Sequence, residues 1–371
     1  MIQVCREHSW HYLCKTLHSI LIVNLRKGKS MKKWMNGIIA LMTGCLIATS
    51  VNAAEWKFYG NARISTFFSD TETATGTSST TYSQALQGNS RIGAKVSVRD
   101  DLKGRFEYGT SGGNANVRLL YGEWNFGAGS FLVGQSYTPI YTRLSQSVYA
   151  TDRGLEKYGA TSALRHPMLR LKFGGFSIAA IEPGTDALTG TTTEVSIPKV
   201  EMAYDMKFNN ISIKAVAGYN AYEIDDAYDV NSYILGLGGK GQFGSAYLAA
   251  SFYLGQNLGP YDFRVSTDND PILSGTDEVF DNESFGYILV AGYKLNDMLS
   301  FEAGYGYTES ELDQNGTQED DGSQYYLQAK ITLAPNVFIV PEVGVVNNGQ
   351  DKTGAEQTEI TYLGAKWQIN F

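Results

Sequence analysis

The chain has little of several residue types on which common protein classes depend. Its 371 residues include only 8 prolines, 3 cysteines and 4 histidines, and only 18% of them are charged. Mean hydropathy is −0.21, too low for a helical transporter, each of whose spans would need about 20 consecutive apolar residues. The composition also excludes a disordered chain and a coiled coil. Glycine and tyrosine are abundant instead, at 40 and 24 residues, and together they indicate an all-β protein.

The N-terminal region contains the three parts of a secretory signal peptide. A basic segment begins at Met31, an apolar stretch follows at residues 37–48, and the small residues Val51 and Ala53 come next. This order is typical of an export signal that is removed by cleavage. We therefore predict a signal peptide at residues 31–53 and a mature chain of residues 54–371.

Residues 1–30 precede this signal, although a signal peptide normally lies at the N-terminus. We interpret Met31 as the true start and residues 1–30 as an over-extended reading frame, with a cytoplasmic extension as the alternative. The segment Met42-Thr-Gly-Cys45 resembles a lipoprotein cleavage box, but methionine replaces the usual leucine. Cleavage after Ala53 is the preferred prediction for that reason.

The predicted mature chain lacks most of the side chains that catalysis uses. Residues 54–371 contain 23 basic and 37 acidic residues, a net charge of −14, with no cysteine and one histidine, His166. Disulfides, thiolate nucleophiles and cysteine or histidine zinc sites are therefore excluded. A serine nucleophile elbow, a phosphate-binding glycine loop and an HExxH pair are also absent. We expect no enzymatic activity, no cofactor and no resident metal, and the acidity argues against a nucleic-acid partner.

Apolar and polar residues alternate over long segments of the mature chain. The segments 55–68, 199–208, 298–308 and 358–371 each place apolar residues at every second position. This period predicts strands with one apolar and one polar face. Their length matches the 9–11 residues that cross a bilayer at a tilt. A soluble sandwich is the alternative, but its strands are usually only five or six residues long.

The connections between these segments alternate in length. Short turns are predicted at 100–103, 127–129, 174–175, 209–210, 240–242, 296–297 and 334–336. Long connections are predicted at 69–89, 110–116, 137–166, 183–198, 223–230, 256–283, 309–323 and 347–357. Fifteen connections imply sixteen strands, and short turns at one rim with long loops at the other indicate an outer-membrane barrel. Aromatic residues beside the short turns predict an interfacial girdle: Phe126, Phe131, Phe173, Phe176, Phe208, Phe243, Tyr293 and Phe338.

A membrane barrel must also close, because unpaired backbone groups are not tolerated in hydrocarbon. We therefore expect the strand at residues 56–68 to pair with the final strand at residues 358–371. The final strand alternates in register and ends on Phe371, which resembles the assembly signal of bacterial outer-membrane proteins.

Several stretches together resemble the general porins of Gram-negative bacteria. They are the opening Trp56-Lys-Phe-Tyr-Gly-Asn-Ala-Arg63, the segment Arg118-Leu-Leu-Tyr-Gly-Glu-Trp-Asn-Phe-Gly, the segment Ser130-Phe-Leu-Val-Gly-Gln, and the terminal Phe371. The resemblance implies a homotrimer of sixteen-stranded antiparallel transmembrane β-barrels with short periplasmic turns and long extracellular loops. It implies a location in the outer membrane, among its lipids and lipopolysaccharide, and passive diffusion of small hydrophilic solutes and ions. It also implies that the third long loop folds into the lumen.

Residues 137–166 are the candidate for this inward loop, because the connection is long and rich in both charges and tyrosines. A transverse electric field would arise if loop carboxylates faced a basic wall, and such a field favours polar solutes and ions. Asp152 and Glu156 are the candidate acids. The candidate basic wall consists of Arg63, Arg91, Lys95, Arg105 and Arg118. The facing of Arg118 stays open, because residues 117–126 fit either register.

Alternatives remain at the level of function. A sugar-selective porin could use tyrosines of the inward loop for stacking, namely Tyr137, Tyr141, Tyr149 and Tyr158. A barrel-anchored adhesin or enzyme is a third alternative, disfavoured by the missing catalytic partners. Acidic clusters at 223–229, 268–283 and 313–321 are either solvated rims or sites for divalent cations that bridge lipopolysaccharide phosphates. The sign of ion selectivity also stays open, since the net charge favours cations and the basic wall favours anions.

Overall fold

Long two-faced strands dominate the computed structural model, which describes residues 54–185, 191–274 and 278–371. The predicted signal peptide at residues 31–53 and the leading segment 1–30 lie outside the described residues. The strands are β1 Glu55–Glu72, β2 Ser78–Leu86, β3 Arg91–Arg99, β4 Leu102–Gly109, β5 Asn116–Asn125, β6 Ser130–Tyr137, β7 Arg165–Phe173, β8 Phe176–Ile181, β9 Thr193–Glu194, β10 Lys199–Phe208, β11 Ile211–Ile224, β12 Tyr228–Phe243, β13 Ala246–Gln256, β14 Ile272–Leu273, β15 Val279–Phe280, β16 Asn282–Lys294, β17 Leu299–Leu312, β18 Asp320–Ala334, β19 Val337–Asn347 and β20 Glu359–Asn370.

These strands form a closed antiparallel barrel of sixteen positions. β2 and β3 occupy a single position, because they pair with successive parts of β1. The two-residue strand β9 extends the position of β10, because both pair with β11, whereas β14 and β15 form a separate two-stranded sheet. β1 pairs with β20 from Asn61↔Asn370 to Glu72↔Glu359, and Gly60 and Phe371 exchange two backbone hydrogen bonds of 2.7 and 3.0 Å. The predicted pairing of the first and last strands is therefore confirmed.

The two faces of the barrel wall follow the predicted alternation. Large apolar side chains are exposed on the outer face, with Phe58 at 75%, Phe371 at 70% and Trp367 at 48% exposure. Most of the aromatic residues beside the short turns also lie on the outer face, but Phe338 does not. Its ring lies under the Lys330 ammonium at 4.4 Å, inside the lumen. Phe338 shares the strand parity of inward-facing Glu342, so its placement in the girdle was wrong.

The connections differ from the prediction where strands continue beyond the apolar segments. The turn predicted at 240–242 lies at 244–245, and the long connection predicted at 223–230 shrinks to residues 225–227. The first connection shortens in the same way, to residues 73–77. Apolar alternation ends where the membrane ends, whereas backbone pairing continues into water. Strand length was underestimated for that reason.

Two long connections enter the lumen. The constriction loop, residues 138–164, was expected to do so, but the second inward loop, residues 257–271, was not. Leu258 and Tyr261 of the second inward loop have no exposed surface. They belong to a buried cluster that includes Ile140 of the constriction loop and Ile234 of the barrel wall. Together the two loops occupy the part of the lumen that lies against β10 to β13.

Among the described residues, no helix is long and apolar enough to cross a membrane.

Candidate pore constriction

Glu342 anchors the constriction loop to the barrel wall. Its carboxylate accepts hydrogen bonds from the backbone N–H groups of Val148, at 2.7 Å, and Tyr149, at 3.0 Å. It also accepts hydrogen bonds from the hydroxyls of Ser147, at 2.9 Å, and Tyr362, at 3.0 Å. Hydrogen bonds to a charged acceptor contribute about 1.5–3 kcal/mol each. One strand carboxylate thus fixes three consecutive residues of the loop.

Glu302 provides a second anchor at the residue directly before this segment of the loop. It accepts from the Gln146 N–H at 2.6 Å, from the Tyr326 hydroxyl at 2.6 Å and from the Gln328 amide at 3.1 Å. The Tyr247 hydroxyl also donates to it. Both anchors lie on strands remote in sequence from the loop, so the loop spans the lumen instead of covering its mouth.

The second inward loop is tied to the wall by Lys199 and Glu201 of β10. The Lys199 ammonium donates to the Tyr261 carbonyl at 2.8 Å, and the Tyr261 hydroxyl donates to Glu201 at 3.1 Å. Glu201 also accepts from the Ile140 N–H at 3.1 Å, so it contacts both inward loops. Lys199 and Glu201 have no exposed surface.

Further contacts join the two inward loops directly. The backbone N–H of Arg264 donates to the Ser162 carbonyl at 2.8 Å, and the backbone N–H of Ser266 donates to the Lys157 carbonyl at 3.1 Å. On β7, just after the constriction loop, the His166 ring is hydrogen-bonded to the Asp262 carboxylate at 3.1 Å. Burial alone would raise the pKa of Asp262, but His166 and nearby basic residues hold it below the ordinary value. The single histidine of the barrel therefore has a structural contact.

Asp152, one of the predicted acids, meets the basic wall directly. Its carboxylate lies 2.5 Å from the Arg63 guanidinium and 3.0 Å from the Lys366 ammonium. Burial acts to raise the pKa of Asp152, yet Lys366, Arg63 and Arg143 together hold it below its usual value. Arg63 of the candidate wall and Asp152 of the loop are thus in direct contact, with Lys366 as a second basic partner, and their role in a transverse field stays a prediction.

Three of the predicted wall arginines converge on Glu107 of β4, a carboxylate outside the predicted site. Glu107 lies 2.7 Å from Arg118, 3.1 Å from Arg91 and 3.2 Å from Arg105. The Tyr59 hydroxyl also donates to it at 2.9 Å. Its side chain is only 1% exposed. These arginines are thus partly neutralised by their own wall instead of by the loop.

Removing the charge of Glu107 should destabilise the barrel. We expect Glu107→Gln to lower the free energy of unfolding by about 3 kcal/mol, because breaking a buried ion pair leaves uncompensated charge. Urea-induced unfolding in detergent or lipid would measure the loss. Glu123→Gln is the matched control, since Glu123 is more exposed and lies 3.7 Å from Arg170. Equal stabilities for the two variants would contradict the structural role of Glu107.

The facing of Arg118 has a physical explanation. Glu107 pairs with Leu119 and Tyr108 pairs with Val117, so Arg118 is the extra residue of a β-bulge. Arg118 and Leu119 are both buried, whereas Val117 and Leu120 are exposed on the outer face. The bulge reverses the alternation at this point, and this is why the segment fitted both registers.

The remaining two predicted site residues lie apart from these clusters. Lys95 is exposed and borders a cavity of about 430 Å³ with Lys57 and Lys103, nearer the short turns. Glu156 is 8% exposed and accepts a hydrogen bond from the Tyr141 hydroxyl at 3.2 Å, within the loop itself. Neither Lys95 nor Glu156 forms an ion pair with a side chain that the structure describes.

The tyrosines of the constriction loop stack mainly on protein groups. Tyr149 stacks on Tyr362 with ring centroids 3.7 Å apart, and Tyr137 stacks on Tyr141 at 4.3 Å. The ring of Tyr158 is buried, at 6% exposure. These rings pack the loop, and their geometry does not favour the sugar-stacking alternative.

The acidic loops hold no group of three metal-ligating side chains among the residues that the structure describes. The Asp268 carboxylate instead lies 2.5 Å from the Lys352 ammonium. Divalent cation binding at the loops stays a prediction.

Sequence comparison gives a partial match. A profile of the OmpA-like transmembrane domain matches residues 248–366, about a third of the chain. No curated protein matches the sequence.

Solved structures match the whole barrel. The outer membrane channel DcaP of Acinetobacter baumannii is similar over 88% of this chain and 100% of its own, with a TM-score of 0.71 and 16% identity. The anion-selective porin from Comamonas acidovorans is similar over 85% and 100%, with a TM-score of 0.58 and 13% identity. The trimer form of OmpT, an outer membrane protein of Vibrio cholerae, is similar over 85% and 100%, with a TM-score of 0.54 and 15% identity. These similarities confirm the predicted fold, a closed sixteen-stranded antiparallel β-barrel.

Proposed function

We propose that the chain forms an outer-membrane channel through which small hydrophilic solutes and ions diffuse passively. The observation that carries the proposal is the constriction loop, held across the lumen by Glu302 and Glu342, with the Arg63–Asp152 pair beside the remaining opening. Arg63, Asp152 and Lys366 border a cavity of about 700 Å³ in the lumen, and this arrangement of charges beside an internal space supports a channel over a purely structural barrel. The proposal includes export through the predicted signal peptide at residues 31–53. It assigns the chain no catalytic role.

The constriction in this proposal consists of Arg63, Asp152, Arg143 and Lys366. Arg91, Arg105 and Arg118 form the adjoining wall around Glu107, and Lys95 belongs to the wider space toward the short turns. Fixed charges on both sides of a narrow opening order water and raise the barrier for apolar solutes.

Planar-bilayer recording tests the channel function. The purified protein should produce stepwise, ohmic conductance in potassium chloride, and proteoliposomes should swell in small sugars more slowly as sugar size increases. Heat-denatured protein is the control. Absence of ion current from folded protein would contradict the proposal.

A homotrimer in contact with lipid and lipopolysaccharide is also proposed, in keeping with the trimeric OmpT structure. Unheated gels should show a band near three times the monomer mass, and conductance should appear in groups of three steps. A monomer-sized band together with isolated single steps would exclude the trimer.

A further inference from the structure

A cavity of about 700 Å³ lies in the lumen between the constriction loop and the short turns after β12 and β16. Six basic residues line it: Arg63, Arg143, Lys240, Lys294, Lys330 and Lys366. Three acidic residues line it as well: Asp152, Asp297 and Glu302. The volume lies within the range of about 300–1,000 Å³ that small-molecule sites in proteins commonly have.

All three acids of this cavity are already occupied by partners. Asp152 is held between Arg63 and Lys366, and its side chain is 1% exposed. Asp297 lies 2.6 Å from the Lys294 ammonium. Glu302 is buried and accepts the hydrogen bonds that anchor the constriction loop. Two of the three acids are thus neutralised by cations, and the lining carries six basic against three acidic side chains.

Three cations of the cavity remain available. Arg143, Lys240 and Lys330 form no ion pair with any carboxylate that the structure describes. Arg143 and Lys330 are exposed to the lumen. The Lys240 ammonium lies over the Tyr247 ring at 3.5 Å, a contact that leaves its N–H donors free to bind an oxyanion.

The acidity of the chain is located elsewhere. Basic residues also outnumber acidic ones in the cavity nearer the short turns, which Lys57, Lys95, Lys103 and Arg105 line together with Glu55 and Glu123. Acidic residues concentrate at the long-loop rim, in segments such as 223–229 and 309–321. The net charge of the barrel is therefore divided along the pore axis, negative at the long-loop rim and positive in this half of the lumen.

Distance decides which of these charges a solute in the cavity experiences. Asp229 and Lys240 lie on the same strand, β12, eleven residues apart. At about 3.3 Å per residue this separation is about 36 Å. Screening at physiological ionic strength acts over about 8 Å, so the rim acids are several screening lengths away.

We propose that this cavity is a weak binding site for small anions that carry carboxylate or phosphate groups, and that it makes the channel anion-preferring. The inference rests on the proposed channel function. Arg143, Lys240 and Lys330 supply the donors, and the basic residues of the lining outnumber its acids six to three.

Reversal potentials and current block test the site with glucose 6-phosphate as the anionic probe and glucose as its uncharged match. In a potassium chloride gradient, the wild-type channel should prefer chloride. Glucose 6-phosphate should reduce the current saturably, and glucose should not. The variant Arg143→Gln/Lys240→Gln/Lys330→Gln should weaken this block about tenfold or more, because three nearby charges are lost.

Single substitutions keep the comparison matched. Lys330→Gln should shift the reversal potential toward potassium, whereas Lys157→Gln, an equal charge change at an exposed position of the constriction loop outside this cavity, should not. Two results would overturn this inference but leave the proposed channel function intact. In the first, the channel conducts but prefers potassium. In the second, glucose 6-phosphate blocks the current no better than glucose does. A folded wild-type protein without current would overturn the proposed function, and this inference with it.

Discussion

Glu342→Gln combined with Glu302→Gln should detach the constriction loop from the barrel wall. The glutamine at position 342 presents one acceptor oxygen and one NH2 group to four donors, so at least two of them lose their partner. Each buried donor left unpaired costs about 1–3 kcal/mol. A loss of about 2 kcal/mol at Glu342 alone raises the equilibrium constant for loop detachment about thirtyfold, since 1.4 kcal/mol is a factor of ten. The expected result is larger open-state conductance with frequent flickering in single-channel records.

The matched control for this variant is Glu311→Gln combined with Glu359→Gln. Both residues are exposed at the long-loop ends of β17 and β20, so the control removes the same charge without touching the loop. The control should conduct like the wild type. Wild-type conductance and noise in the Glu342 and Glu302 variant would show that the loop does not depend on these carboxylates.

Excising residues 260–268 should open the part of the lumen that the second inward loop fills. The excision is geometrically simple, because the Gly259 N–H donates to the Asn269 carbonyl at 3.0 Å and a short glycine linker can join the ends. Removal of Tyr261 and its neighbours withdraws most of the cover from the wall residues Val216 and Ile234. We expect the conductance to increase severalfold and the size limit for sugars in liposome swelling to rise.

Deletion of residues 74–76 provides the control for this excision. The turn between β1 and β2 is exposed, and its ends are joined by a hydrogen bond of 3.0 Å from the Thr73 N–H to the Thr77 carbonyl. This deletion should leave conductance and size limit unchanged. An excision variant that folds but conducts like the wild type would mean that the second inward loop does not obstruct the path.

The strands and the barrel closure were predictable because both follow from local alternation. A strand that separates lipid from water must place apolar residues on one side, and segment 55–68 shows this directly in its sequence. Arg118 is the instructive exception. A bulge adds one residue to a strand and leaves no mark in the composition. The sequence alone therefore does not show that the inward-facing positions shift by one residue at the bulge.

The partners of the candidate site residues were less predictable. The alternation of the strand predicts that Glu107 faces the lumen. It does not predict how far along the pore axis Glu107 lies from Arg91 and Arg105, because that distance depends on the stagger between strands. The second inward loop did carry a signal, since Leu258, Tyr261 and Phe263 are unusually apolar for a connection exposed to water. Such residues indicate that a loop packs against protein, but not which wall it packs against.

The junction of β1 and β20 has a consequence for how the chain is made. Thr66 donates its hydroxyl to the carbonyl of Ala365, which lies 299 positions further along the chain. Bringing together segments this distant carries a large loop-closure entropy, and folds dominated by such contacts form slowly. Because Phe371 itself pairs with Gly60, the wall cannot close until this distant segment reaches β1. The free strand edges of the unclosed sheet must therefore be protected from aggregation until then.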